Sequence, residues 1–291
     1  MFFLKIISSK KKIFKNFFEL CKKNKILLIG FILFFLLLII TFIVPHFYLS
    51  ENTNIKSFKS FLKPSKKHWM GTDCLGHDLF EYIIKGTKLS LRISFFTILI
   101  SSIIGLFLGV LSGYFLGFFN ILTNFICDLI IVFPDFILAF LIVLFYGKSV
   151  YSIVLALSIN YIPVFIKNIK AITIQTVKKD FVKSAICLGA SHFYIIRKHI
   201  LPHVLYSLII RITLSLSSVI LAASAFGFIG LGLDPSIPEW GSLLNTNKSY
   251  INFYPRLIFF PIIIILLTNL SLNFIAEGLV NYFNYNQNKE N

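Results

Sequence analysis

Six long apolar runs, at 26–44, 89–114, 121–146, 150–167, 204–230 and 256–280, divide the chain, separated by mixed stretches rich in Lys, Gly and Pro. Runs of about 18 residues or more with few charges are candidate membrane spans, because ~20 residues rising ~1.5 Å each cross the ~30 Å hydrocarbon core. Inside lipid every backbone N–H and C=O must be satisfied within the segment, which a helix does. The pattern predicts an all-α, polytopic integral membrane protein with six transmembrane helices. One stretch between spans is patterned differently. Residues 178–188 place apolar positions 181, 182, 185, 186 and 188 on one side and polar positions 178, 179, 180, 183 and 184 around the other, the spacing of a surface helix. Gly189 and Ala190 read as its stop, since glycine tolerates the left-handed conformation that ends helices. A second helix is expected over 191–201, running to Pro202 at the start of the fifth span. Two short helices joined at a glycine and held by a proline make a knob on the membrane face.

The spans themselves are not uniform. Gly105, Gly109, Gly113 and Gly117 recur every four residues, a smooth stripe where a second helix approaches closely. Packing within the chain is a simpler reading of it than a dimer seam. The third span contains DLIIVFPD, from Asp128 to Asp135, seven residues apart and so on one face of a continuous helix. An ionised Asp in hydrocarbon costs a few kcal/mol on insertion scales, so both carboxylates are expected to face protein or water. One reading is a proton or cation path; the other is capping or pairing at a turn broken by Pro134. Counting from the predicted cytoplasmic helix ends places Asp128 and Arg211 each seven residues in, which permits an intramembrane ion pair between them.

Composition sharpens this picture. With 57% hydrophobic residues, 14% charged ones and 34 Phe, the chain lies outside the range of soluble globular domains. The net charge of +16 does not point to nucleic acid, because the lysines lie mostly outside the spans, where the positive-inside rule uses them. Residues 1–25 carry eight Lys against one Glu and 168–203 hold six Lys or Arg, so both segments, and with six spans the 284–291 tail, are expected in the cytoplasm. The predicted layout is a basic N-terminus (1–25), an anchor helix (26–44), an external loop (45–88) and a five-helix core (89–283) carrying the cytoplasmic segment 168–203. The external loop holds seven lysines against the rule, which long loops tolerate. The first run is too long for a signal-peptide core, and TFIVPHFYLS offers no small-residue cleavage site, so it reads as an uncleaved anchor. Of Cys21, Cys74, Cys127 and Cys187 only Cys74 faces outside in this layout, so no disulfide framework follows. His192, His199 and His203 gather at the knob, but Pro202 interrupts the 199/203 pair and no acid lies between 181 and 203, so no metal site is expected.

Two connections hold denser information. Residues 45–68 show no periodicity and read as a flexible spacer, whereas HWMGTDCLGHDLFEYIIKGTKLSL (68–91) has two glycine-centred turns and three acids. Trp69 and Tyr82 there are expected at headgroup level. GFIGLGLDPSIPEWGSLL (227–244), with Trp240 expected at the interface, is either a plain hairpin or a re-entrant turn closing the outer mouth of a pathway.

Taken together these stretches resemble the inner-membrane permeases of binding-protein-dependent ABC importers, the dipeptide/oligopeptide/nickel family and its second permease subunit, over about 70–280. MGTDCLGHDLF is similar to the family's external GTD-x-x-GRD box, carried here by Gly71, Thr72, Asp73, Gly76 and Asp78, with His77 where Arg is usual. FIGLGLDPSIPEWG is similar to FLGLG-x-x-P-P-x-P-x-WG, which makes Gly230, Gly232, Pro235, Pro238, Trp240 and Gly241 candidate loop or gate residues, with Ser236 for the second Pro. The knob resembles E-A-A-x-x-x-G followed by Leu-Pro, here Lys183, Ser184, Ala185, Gly189, Leu201 and Pro202. Lys183 stands for Glu, at a position where the peptide branch often has Arg; Glu81, Asp135 and Val280-Asn281 also depart from the family pattern.

The resemblance implies a type I importer permease fold in a bacterial inner membrane, with both termini cytoplasmic. It implies that the knob is a coupling helix docking into an ATPase groove. The implied partners are a homologous second permease, two ABC ATPases, an extracytoplasmic solute-binding protein and the bilayer. ATP and Mg would be held by the ATPases, with no cofactor in this chain, which lacks a G-x-x-x-x-G-K-S/T phosphate loop. Di- or oligopeptides are the implied cargo, and nickel or another small solute the alternative. A second class, an ion-coupled transporter using Asp128, Asp135, Arg211 or Glu277, has few ionisable residues to work with and no inverted repeat visible by eye. A membrane enzyme would need a nucleophile–base pair, and none stands out.

Overall fold

Gly105, Gly109 and Gly113 decide the central packing. A methyl group added at each would meet, in turn, Phe165 Cβ at 2.2 Å, Ile169 Cβ at 2.8 Å and Thr173 Cβ at 2.7 Å. The backbones therefore touch where side chains would otherwise hold them apart. The stripe serves packing within the chain, and it ends at Gly113, since nothing lies within 4 Å of a Cβ at Gly117. The computed structural model describes residues 24–45, 59–234 and 237–290, the last eight by backbone alone. The basic residues before 24, the loop 46–58 and Pro235 lie outside the described residues.

The helices are α1 (Lys25–Phe42), α2 (Leu79–Tyr114), α3 (Phe118–Val132), α4 (Asp135–Tyr146), α5 (Val150–Val177), α6 (Asp180–Cys187), α7 (His192–Ile229), α8 (Trp240–Asn247) and α9 (Arg256–Glu290). Among the described residues there is no strand, only one bridge between Thr72 and Asp78. Five helices, α1, α2, α5, α7 and α9, are long and apolar enough to span, and α3 with α4 forms a bent pair at 88°. The glycine contacts rise together in number along both helices, so α2 and α5 run parallel. The chain must therefore cross once between them, and only the bent pair is available to do so. The sixth span is real but broken at Phe133–Pro134, because proline lacks the N–H a continuous helix requires.

Helix boundaries move. α2 starts ten residues before the predicted run, at Leu79, and α5 continues ten beyond it to Val177. The last helix runs through residue 284 to Glu290, so the predicted tail continues the helix. The main core lies between α2, α5 and α7, where Ile93, Leu157, Phe165 and Val219 are fully shielded. α9 packs on α7, and α1 crosses α9 closely, with Gly30 against Ile275 and Gly278 against Leu27. Two ends result. Tyr114, Val177 and His192 mark the knob end; Asp78, Ile229 and Arg256 mark the box end.

Candidate functional site

At the knob end, α6 carries the sequence-predicted coupling residues. Its C-terminus is closed by Gly189 at φ +78°, with Gly189 N–H donating to the Ile186 carbonyl (2.9 Å) and Ala190 N–H to that of Ala185 (3.0 Å). That is the Schellman arrangement, which satisfies helix-end carbonyls through a left-handed residue. Ser191 Oγ then accepts from Tyr194 N–H and starts α7, and Tyr114 Oη bonds His192 Nδ1 at 2.7 Å, tying the end of α2 to the start of α7. Val182 is buried and Phe181 stacks near His199 and His203, so α6 is seated on α7 by one edge. Apolar residues around the turn face outward: Leu188, the C-cap of α6, is 87% exposed and Phe193, in the first turn of α7, 72%. Lys183 and Ser184 are exposed, Lys183 reaching Asp180 at 3.2 Å, and Ala185 is half-buried.

The predicted second short helix is corrected. α7 is one 38-residue rod from His192 to Ile229 that passes through Leu201 and Pro202 without ending. Residues Ile196–Ile200 form a π turn, and Leu201 N–H donates to the Ile196 carbonyl. The wider turn absorbs the proline, whose ring would clash with the carbonyl four residues back in a regular helix. The knob is thus one short helix against the root of a span.

At the box end the acids turn inward. Asp73 Oδ1 accepts from Leu75 N–H (2.9 Å) and His77 N–H (2.7 Å), while its Oδ2 faces His77 Nδ1 at 3.2 Å. Asp78 caps α2 by accepting from Glu81 N–H (3.0 Å) and pairs with His68 Nδ1 at 2.7 Å. Gly71 and Gly76 both take positive φ, and Thr72 Oγ1 bridges Lys59 and Leu62. Arg256 Nη2 donates to the Phe61 and Leu62 carbonyls at 3.1 and 2.6 Å, tying the root of α9 to this loop. Residues 59–68, read from sequence as part of a flexible spacer, are built into the box. Tyr82 is buried at 9% exposure, while Trp69 remains half-exposed.

The connection from α7 to α9 is a folded-back segment. Gly230 caps α7 at φ +94°, Pro238 is half-buried, and Trp240 is 0% exposed, correcting its interfacial placement. A Cβ at Gly232 would meet Gly227 Cα at 2.6 Å, and one at Gly241 the Ser224 carbonyl at 2.4 Å, so α8 lies directly on the last turn of α7. Sequence reasoning passed over Glu239. Its carboxylate accepts from Gly241 and Ser242 N–H, each at 2.9 Å, and burial pushes it up to about 7. No local signal marked it, since Glu is not among the preferred N-cap residues.

Within the spans, Asp128 pairs with Lys167 at 2.8 Å and not with Arg211. Equal counting from predicted helix ends misled, because α3 and α7 both begin earlier than assumed and α3 is bent away from α4. Asp128 sits at the level of Lys167, whereas Arg211 lines a cleft with Tyr161. Those two α5 positions are six residues, about 9 Å, apart along the axis. The bend also takes Asp128 and Asp135 off a common helix face. Lys170 Nζ adds a bond to Asn124 Oδ1 at 2.7 Å. The Asp128–Lys167 pair is open on its outer side, with 64% and 46% of the side chains exposed. The cleft, of about 360 Å3 and partly open, lies between the α3–α4 break, α5 and α7 and includes Asp135, Asn160, Tyr161, Arg211 and Ser215.

Broken and continuous spans around a polar cleft, with a cap at one end and a protruding helix at the other, define a polytopic membrane transport protein. The chain belongs to the family described as the binding-protein-dependent transport system inner membrane component, which it matches over residues 105–285. It is 33% identical over 262 residues to the dipeptide transport system permease protein DppC of Alkalihalophilus pseudofirmus, covering 90% of this chain and 86% of that protein. It is 35% identical over 216 residues to the glutathione transport system permease protein GsiD of Pectobacterium atrosepticum, covering 74% of this chain and 72% of the relative. Its fold is shared with an amino acid ABC transporter crystallised with histidines (TM-score 0.56, 18% identity, 68% of this chain and 92% of that one). The inward-facing MetNI methionine ABC transporter is similar to the same degree (TM-score 0.56, 16% identity, 69% and 96%).

Proposed function

We propose that this chain is one of two homologous permease subunits of an ATP-driven importer of short peptides, coupled through α6 to ATPase subunits that are separate polypeptides. The observation that carries the coupling role is the knob: a glycine-closed helix seated rigidly on the root of α7, with Leu188 and Phe193 presented outward. Apolar side chains this exposed, beside Lys183 and Lys179, fit a groove on a water-soluble partner. ATP and Mg then belong to that partner. The knob end faces the cytoplasm in this reading, the membrane is the bacterial inner membrane, and the box end meets the solute-binding protein. Peptide is the cargo class supported by the dipeptide and glutathione permeases among the relatives. A second permease is supported independently, since an ion pair exposed about 15 Å from the Val177 end of α5 cannot face hydrocarbon without cost.

A mild-detergent pull-down of the tagged chain from its native membranes tests the assembly. Co-purification of an ATPase and a second permease is expected. A well-folded chain that comes alone, even with nucleotide present, would remove the importer reading and bring ion-coupled transport forward.

A further inference from the structure

The cleft between the α3–α4 break, α5 and α7 takes no part in the knob, the box or the folded-back connection. Its volume of about 360 Å3 falls at the low end of the ~300–1,000 Å3 typical of ligand sites. Opposite charges line it, Asp135 in the first turn of α4 and Arg211 on α7, and no ion pair joins them among the described residues. Arg211 Nε is buried without a hydrogen-bond partner, and so is Ser215 Oγ one turn along the same helix. An unmade buried donor costs ~1–3 kcal/mol, more when charged. A position that served packing alone has no reason to hold an arginine there. Among the surrounding polar groups, Asn160 Nδ2 donates to the Asp135 carbonyl at 3.3 Å. That bond is to the Asp135 backbone and leaves the Asp135 and Arg211 side chains to meet a ligand in the cleft. Ile130, Val164 and Leu214 supply an apolar remainder without polar preference.

We propose that this cleft is a subsite on the translocation path that holds a short peptide by its termini, Arg211 taking the α-carboxylate and Asp135 the α-ammonium. A zwitterion satisfies both intramembrane charges at once while bringing no net charge into the span. The apolar remainder contacts side chains of any identity, so the site reads peptide ends and not sequence. Its volume suits a di- or tripeptide. This inference rests on the peptide-importer reading above and gives that reading its substrate contact.

The test uses the complete complex with its partner subunits and binding protein in proteoliposomes, with saturating Ala-Ala, its C-terminal amide and its N-acetyl derivative as probes. Arg211→Gln is expected to lower Ala-Ala uptake about tenfold, the size of one lost charge-assisted bond, with amide uptake changed less than about twofold. Asp135→Asn should lower Ala-Ala uptake and spare the acetylated peptide, and Arg211→Lys should recover part of the loss. ATPase activity stimulated by peptide-loaded binding protein, read in parallel, separates assembly from transport. Should Arg211→Gln not assemble, Asp135→Asn with the acetylated probe carries the same comparison. Equal loss of acid and amide, or unchanged uptake of both, overturns the subsite. A wild-type complex that takes up none of the three peptides with ATP overturns the peptide reading itself.

Discussion

Glu239 shows how much one residue can hold. Its carboxylate is the N-cap of α8 and lies within a few ångströms of Gly227 and Gly241, so the contact between α8 and α7 is built around it. Desolvation raises it from 4.5 to about 7, against the two amide bonds that favour the charged form. Between those values the folded chain keeps a proton that the unfolded chain releases. Stability therefore falls as pH rises through that window and levels off above it, once the native carboxyl ionises too. Glu239→Gln cannot titrate, so the wild type should lose Tm relative to this variant between about pH 5 and about pH 8. Thermal melts in detergent read this directly; parallel curves for the two proteins would sink the assignment. Sequence pattern flagged Trp240 beside it as an interfacial aromatic, because exposure cannot be read from residue type alone.

At the scale of elements, α6 was legible and the start of α7 was not. The apolar and polar positions of 178–188 and the glycine stop are local signals, and the structure holds them at Asp180–Cys187 and Gly189. Pro202 is also a local signal, but a π turn accommodated it inside the rod, which composition does not announce. Gly189 sits at φ +78° with open space around it, so a side chain there meets backbone strain and no clash. Gly189→Val should leave insertion intact yet stop uptake and release ATPase activity from substrate control. Wild-type uptake by a well-inserted Gly189→Val protein would show that the turn is not a lever. The box illustrates the converse case. Its acids look available in the sequence, yet Asp73 and Asp78 are committed to backbone amides and histidines.

For the whole molecule, the parallel run of α2 and α5 is the governing fact, since it forces the broken α3–α4 pair to carry the chain across. That break places Asp135 at the cleft and Asp128 opposite Lys167. If the exposed face of this ion pair is covered by a second permease, Lys167→Met alone leaves Asp128 uncompensated at a buried interface, a loss of ~3–5 kcal/mol. The heteromeric complex should then fall apart in mild detergent, and Asp128→Leu added to Lys167→Met should restore much of it. Size-exclusion profiles of the single and double variants measure this. Full assembly of Lys167→Met would mean that the pair faces water.

Spans, the surface helix and the glycine stripe were all readable from residue order, because hydrophobic length, helical period and the missing Cβ act locally. Which groups meet across the bundle was not. Counting permits an Asp128–Arg211 pair that the structure does not make, since counting assumes straight helices starting at a common level. Lys167 ends the apolar run 150–167, but the helix continues to Val177. Only tertiary packing sets the bend, the relative depth of helices and the partner of each buried charge, because those depend on contacts between residues far apart in the chain.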